Sequence, residues 1–353
     1  MRRWVRKHLV FLITMSVVFI TVLTLSVIRI PYDLTSPGSV NQIEKVIDIK
    51  DASASNGSYN TISVYSSEKV SILKYLLSFL HPSILRNPSS TAIEYDYDKM
   101  IKSGTIQKNV SIINALIAGY TYANKQISYK HIGIIVDRVT VYAPNNIEIG
   151  DIIVKFNNQL VNEDNFDEIT QDSQDEFSME VIRNNQLTLI NSSFRYLINK
   201  NDEQVPYHGI TYYDYYEIDQ DSVNPSYTIH KTYTLGPSGG LMQAMMIVDN
   251  LLEEDLTMGL KIAGTGEISA SGKVSEIGGM YQKIFTAYYE KVDICFVPVY
   301  YNDENKIDLD RSKNYKEALR AYEDLNKPNN LKIVPVATLD EAITYLLELN
   351  YEN

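Results

Sequence analysis

Two side chains in the C-terminal half could do chemistry together: a serine on a glycine-proline turn, Ser238, and a later lysine, Lys283. Ser238 lies in Gly236-Pro237-Ser238-Gly239-Gly240, directly before Leu241 to Val248, a run apolar enough for a buried helix. A turn exposes the hydroxyl, and the start of a helix favours negative charge. Such a place suits a nucleophile and the oxyanion it generates. A serine hydroxyl is too weakly acidic to attack an amide unaided and needs a base within hydrogen-bond reach. A lysine serves if it is neutral, and burial among apolar groups removes its proton. Lys283 is followed by Ile284, Phe285, Ala287 and Tyr288, so partial burial is expected. Each stretch alone reads more plainly, as a turn before a core helix and as a lysine on a helix surface.

The order of three stretches changes that reading. Gly236 to Gly240 is followed by Thr265-Gly266-Glu267-Ile268 and then by Ile277-Gly278-Gly279-Met280-Tyr281-Gln282-Lys283. This arrangement resembles the proteolytic domain of the Lon family, over roughly Tyr207 to the C-terminus. There a Gly-Pro-Ser-Ala-Gly nucleophile turn precedes a Thr-Gly-Glu strand and a Gly-Gly-x-x-x-Lys segment. The resemblance implies Ser238 as nucleophile and Lys283 as general base, with Thr265 orienting the amine. Gly236, Pro237 and Gly239 would support the turn, and backbone N–H groups near Ser238 would form the oxyanion hole. Three departures stand out. Ser-Gly-Gly replaces Ser-Ala-Gly, a change expected to be mild between small residues. Leu235 stands where Lon proteases often carry an acid, and Met280-Tyr281-Gln282 replaces the usual Leu-Lys-Glu. Lys273, the competing lysine, comes too early for the motif.

The elements that must position this pair belong to a chain of 353 residues, enough for two or three domains. Arg2, Arg3, Arg6 and Lys7 precede Leu9 to Ile28, an uncharged, mostly apolar run. At about 1.5 Å per residue it reaches about 30 Å, the thickness of a bilayer core. Basic residues stay cytoplasmic, so a single-pass cell-membrane anchor with the catalytic domain outside is expected. A cleaved signal peptide would have a shorter apolar region and a small-x-small site, for which Ser26-Val27-Ile28 is poor. The net charge of -12 argues against nucleic acid as a partner. Cys295, in an apolar strand, is read as a small buried hydrophobe.

Five scattered histidines show no metal-ligand spacing, so neither metal nor cofactor is expected. Ser271-Gly272-Lys273-Val274 mimics a nucleotide loop, but Val274 replaces the required Ser or Thr, so no nucleotide is expected either.

Between anchor and catalytic part, Pro31 and Pro37-Gly38 break the helix. Val46 to Ile49 and Thr61 to Tyr65 alternate as strands around a loop at Asp51 to Ser58. Val70 to Leu80 is apolar at helical spacing, read as a small packing helix, with a membrane-lying helix as the other reading. Ile112 to Ala118 is another helical stretch, and no chemistry is found in this region. Ile132 to Val136 and Val139 to Tyr142 read as strands, and Pro144-Asn145-Asn146 turns into Gly150-Asp151 and an apolar strand. With a helix over Glu163 to Thr170 and a hairpin at Asn184-Asn185, this part resembles a PDZ domain. PDZ domains bind an extended peptide at a sheet edge, with a backbone nest for a terminal carboxylate. The nest would fall near Tyr129-Lys130-His131, which lacks the glycine-rich pattern, so no ligand residues are assigned. Asn199 to Val205 reads as a linker.

The expected organisation is thus a multidomain α/β and α+β chain. It comprises a basic segment (1–8), a transmembrane anchor (9–28), an N-terminal α/β region (29–127), a PDZ-like β-rich domain (128–200) and a Lon-like α/β domain (206–353). The layout resembles bacterial PDZ-containing Lon-like proteases. It implies an ATP-independent endopeptidase acting on extended peptides, secreted or in small membrane proteins. The alternative is a catalytically silent peptide-binding scaffold. Homo-oligomerisation is left open.

Overall fold

The computed structural model describes residues 4, 7–52, 55–89, 96–144, 146–171, 176–198, 204–231, 235–252, 254–301, 307–325 and 330–352. Arg2, Arg3, Arg6, Asn145 and Asn199 to Glu203 lie outside them, as does part of the loop after Asp51. Helix α1 (Leu9–Val27) is mostly apolar, uncharged and without a buried residue. It is long and apolar enough to cross a membrane, a test that a signal sequence also passes.

The chain leaves α1 and enters a sheet within a few residues. Strand β1 (Tyr32–Gln42) pairs antiparallel with β2 (Ser58–Ser67). Pro37-Gly38, expected only to break structure, lies inside β1, where the register shifts between Pro37 and Val40. A bulge is where a strand tolerates proline. Helix α2 (Ile72–Leu77) runs into a 3-10 turn at Ser78–Leu80, and β3 (Leu85–Pro88) pairs with β1. Helix α3 (Tyr97–Tyr122) is far longer than the apolar stretch that signalled it, and Asp96 caps it by accepting from the N–H groups of Asp98 and Lys99.

A second sheet follows. Its strands are β4 (Gln126–Val139), β5 (Ile152–Phe156), β6 (Glu176–Arg183), β7 (Gln186–Ser193) and β8 (Ile210–Asn224), in the order β8-β4-β5-β6-β7. The short strand Gln159–Leu160 pairs with β5, and helix α4 (Phe166–Gln171) lies between β5 and β6 in sequence. Asn184 and Asn185 both have positive φ, which suits the two-residue hairpin turn between β6 and β7. The sheet has its own core around Phe156, Phe166, Phe177 and Val181. Two expectations are corrected here. Ile132 to Val136 and Val139 belong to one strand, and Tyr129-Lys130-His131 are strand residues of β4 paired with Ile218, Glu217 and Tyr216.

The chain then returns to the first sheet through α5 (Gly240–Leu251), β9 (Lys261–Gly264), α6 (Met280–Tyr289), β10 (Ile294–Pro298), α7 (Lys313–Asp324), β11 (Lys332–Val336) and α8 (Leu339–Glu352). The order is β11-β10-β9-β2-β1-β3, with β2, β9, β10 and β11 parallel. Strand alternation divides the core. Ile294 and Phe296 join Ile112, Met242, Met245 and Ile343, on the side of α3, α5 and α8. Cys295 and Val297 join Met280, Ile284 and Ala318, on the side of α6 and α7.

This topology changes the expected division of the chain. Residues 29–127 are not a separate region, because β1, β2, β3 and α3 share one sheet and one core with the C-terminal elements. Residues 210–224, drawn within the C-terminal part, form the edge of the second sheet. The β4–β8 unit is therefore an insertion between the two pieces of a single α/β unit.

Candidate active site

Ser238 sits where the chain turns into α5. Gly236 has φ +91°, a left-handed value that favours glycine, and its N–H donates to Gly104 O on α3. The carbonyl of Ser238 accepts from Gly266 N (2.9 Å) and from Thr265 Oγ1 (3.0 Å). Pro237 O accepts from Ser111 Oγ at 2.9 Å, and Ile268 O accepts from Asn114 Nδ2 at 3.0 Å. Helix α3 thus fastens both the serine turn and the Thr265–Ile268 segment. That is chemistry-bearing support in a region where the sequence showed none.

Lys283 is buried in the first turns of α6, 2% exposed. Its Nζ donates to Thr265 Oγ1 at 2.6 Å, so a chain of bonds runs from the amine through the threonine hydroxyl to the backbone of Ser238. Burial pushes the amine down to about 7. The nearby Cys295 thiol is fully buried and pushed up to about 12, so it remains protonated and inert.

Ser238, Lys283, Gly236, Pro237 and Gly239 all line one open cleft of about 1190 Å³. Thr265 is fully buried behind them. Ser238 and Lys283 share no direct hydrogen bond among the described residues. Such pairs often tighten only when substrate is bound. The N–H groups of Ser238 and Gly239 have no backbone acceptor among the described residues, which leaves two donors for an oxyanion.

The departures from the motif have physical places. Met280 is fully buried in the core, Tyr281 Oη donates to Asp324, and Gln282 Nε2 donates to Ser83 O at 3.0 Å. Leu235 is 43% exposed at the cleft rim and packs on Gly104. Glu267 and Glu276 are acids lining this cleft, and Glu267 is held up at about 7 by burial and by the charges of Glu163 and Asp137 on the inserted unit.

Gln243 is the cleft residue that sequence reasoning missed. It is 6% exposed, and its Oε1 has no partner among the described residues. The signal was there, one amide in the otherwise apolar run after Ser238. Gly239 lies tight against Thr61, with Gln243 at ordinary contact distance. A Cβ at 239 would lie 2.9 Å from Thr61 Cγ2 and 3.4 Å from Gln243 Nε2. An alanine here would crowd Thr61, so the surroundings in this chain are shaped to glycine. Threonine is stiff about χ1 and cannot retreat easily. Gly239→Ala is expected to cost about 1–3 kcal/mol, as overpacking does. A lower Tm and slower peptide turnover should accompany each other.

Residues 224–348 match the family model of the Lon protease (S16) C-terminal proteolytic domain. Among similar curated proteins are the Lon proteases of Endomicrobium trichonymphae and Neorickettsia sennetsu. The first is 30% identical over 118 residues, covering 33% of this chain and 13% of that protein. The second is 33% identical over 113 residues, covering 32% and 12%. The chain thus spans only a small part of these relatives. Among solved structures, the PDZ domain of an SdrC-like protein from Listeria innocua is 19% identical, with 23% of this chain and 92% of that one covered, at a TM-score of 0.20. Its counterpart from Listeria monocytogenes is 17% identical, with 24% and 90% covered, at 0.21. Over residues 224–348, then, the chain matches the proteolytic domain of the Lon proteases, and the match supports a serine peptidase.

Proposed function

We propose that the chain is a membrane-anchored, ATP-independent serine endopeptidase with Ser238 as nucleophile and Lys283 as general base. The observation that carries this is the buried Lys283 amine, bonded to Thr265, which is bonded in turn to the Ser238 carbonyl, with Ser238 and Lys283 lining one cleft. Ser238 Oγ attacks the peptide carbonyl while its proton passes to Lys283 Nζ. The developing oxyanion takes the free N–H groups of Ser238 and Gly239. The ammonium stays oriented by Thr265 Oγ1 and then protonates the leaving amine. Water, deprotonated by the same lysine, hydrolyses the acyl-enzyme and frees Ser238.

The cleft is open, and the substrate class is an extended peptide, in a secreted chain or a small membrane protein. The inserted β4–β8 unit serves as a PDZ-like module that captures such a peptide. Helix α1 anchors the enzyme in the cell membrane with the cleft outside.

A pH profile tests the base. Below about 7 the amine is charged and cannot take the serine proton. Activity should rise ~10-fold per pH unit below that value and level off above it. Glu267 titrates in the same range. Glu267→Gln should therefore keep the rise if Lys283 sets it, and a profile flattened by that substitution would assign the proton to Glu267 instead. A folded chain that captures peptide intact at every pH would favour the scaffold reading.

A further inference from the structure

We infer that the turn after α2 is a second membrane contact, which seats the catalytic unit on the bilayer that α1 crosses. Leu76, Leu77, Phe79, Leu80 and Leu85 are all large, apolar and exposed, Leu80 at 79%. Four of them fall within one short stretch, where a water-soluble surface would carry polar residues. Of the apolar positions expected to pack, Val70 is fully buried and Leu73 half-buried, whereas Leu76, Leu77 and Leu80 are exposed.

The covering partner is indicated by where the patch lies. Ile72 N donates to Ile28 O at 3.0 Å, Ile30 N to Val70 O at 2.9 Å, and Val70 N to Tyr32 O at 3.0 Å. Arg29 and Ser71 form an antiparallel bridge. Thus α1 leads into the sheet without a free tether, and α2 is in direct contact with α1. A helix that touches the apolar span, its far end within about 10 Å of the span's exit, meets the headgroup region if α1 is in the bilayer. The rings fit that level. Tyr32 meets Tyr75 at 4.8 Å, Tyr75 meets Phe79 at 5.3 Å, and the Arg86 guanidinium lies 4.3 Å above Phe79. Aromatic rings beside a cation suit a membrane interface, and Arg86 is held there by donating to Ile84 O at 2.8 Å.

The other end of this segment is tied to the catalytic helix. Gln282, next to Lys283, donates to Ser83 O, and the His81 ring meets Phe285 at 6.3 Å. The bilayer contact therefore fixes the cleft at one height and orientation. The substrates within reach are peptide segments close to the outer membrane surface.

The inference rests on α1 being a membrane span, and its test separates the two. Trp4 is the one tryptophan. In a Trp4→Phe background, full-length chains carrying Phe79→Trp, Leu80→Trp, Phe19→Trp or Tyr351→Trp are reconstituted into vesicles with brominated acyl chains. Tryptophan at 79 and 80 should emit to the blue and lose most of its fluorescence to bromines near the headgroups. Position 19, within α1, should be quenched by deep bromines, and the exposed position 351 by none. Quenching at 19 without quenching at 79 or 80 overturns the contact and leaves the anchor standing. No quenching at 19 overturns both.

Discussion

Lys283→Met is expected to leave a protein that is more stable than the parent and nearly inactive. The lysine is buried and shifted from 10.5 to about 7. A shift of that size corresponds to about 5 kcal/mol of penalty on the charged form. Its folded value lies below its unfolded one. The penalty is therefore complete below pH about 7, shrinks between there and 10.5, and vanishes above. Methionine matches the stem without the charge. It forfeits the bond to Thr265 Oγ1, worth about 1 kcal/mol, while Thr265 keeps its bond to Ser238 O. The gain should be a few kcal/mol at pH 6 and close to nothing at pH 10. Loss of the base should lower kcat/KM by ~1,000-fold or more. Denaturant curves at the two pH values, with peptide turnover beside them, check both halves. A destabilised variant at pH 6 would mean that the amine is solvated and is not the neutral base.

The second large effect concerns the insertion. A chain of residues 206–353, which contains every motif of the resemblance, is expected to fail to fold. It lacks β2, so β9 loses a parallel neighbour. It also lacks α3, which packs directly on α5 and shares one core with it. A Cβ at Gly119 of α3 would fall 2.6 Å from Ile247 Cγ2, so the two helices are in close contact. Each large apolar side chain uncovered costs about 1.5–3 kcal/mol, and a domain has only ~5–15 kcal/mol in hand. The fragment should aggregate, show no cooperative thermal transition and cleave nothing. Replacing only residues 126–224 by a short linker should preserve the transition. A soluble 206–353 fragment with a sharp melt would contradict the two-piece architecture.

The sequence carried the active-site order because the turn, the strand and the lysine are local patterns. Thr265 was assigned through resemblance, and it lies between Lys283 and Ser238. The apolar run Leu241 to Val248 and the strand around Cys295 were legible, and they lie in α5 and β10. The two-piece unit was not legible, because strand pairing between Ser58–Thr61 and Lys261–Gly264 spans the whole insertion. Strand β1 was hidden by Pro37-Gly38 at its bulge. Helix α3 was legible only over Ile112 to Ala118, and its full length was hidden by its own burial. Ser103, Gly104, Ser111 and Asn114 are all buried in it, so small and polar residues occupy positions where periodicity looks for leucine. Gln243 escaped notice because an apolar run was read as a whole.

The most direct measurement uses the full-length chain without nucleotide. Wild type, Ser238→Ala and Lys283→Met are incubated with a mixture of unstructured peptides, and the fragments are read by mass spectrometry. Wild type alone should cleave, with both variants folded and silent. Fragmentation by a folded Ser238→Ala protein at the wild-type rate would contradict the assignment of Ser238 as nucleophile.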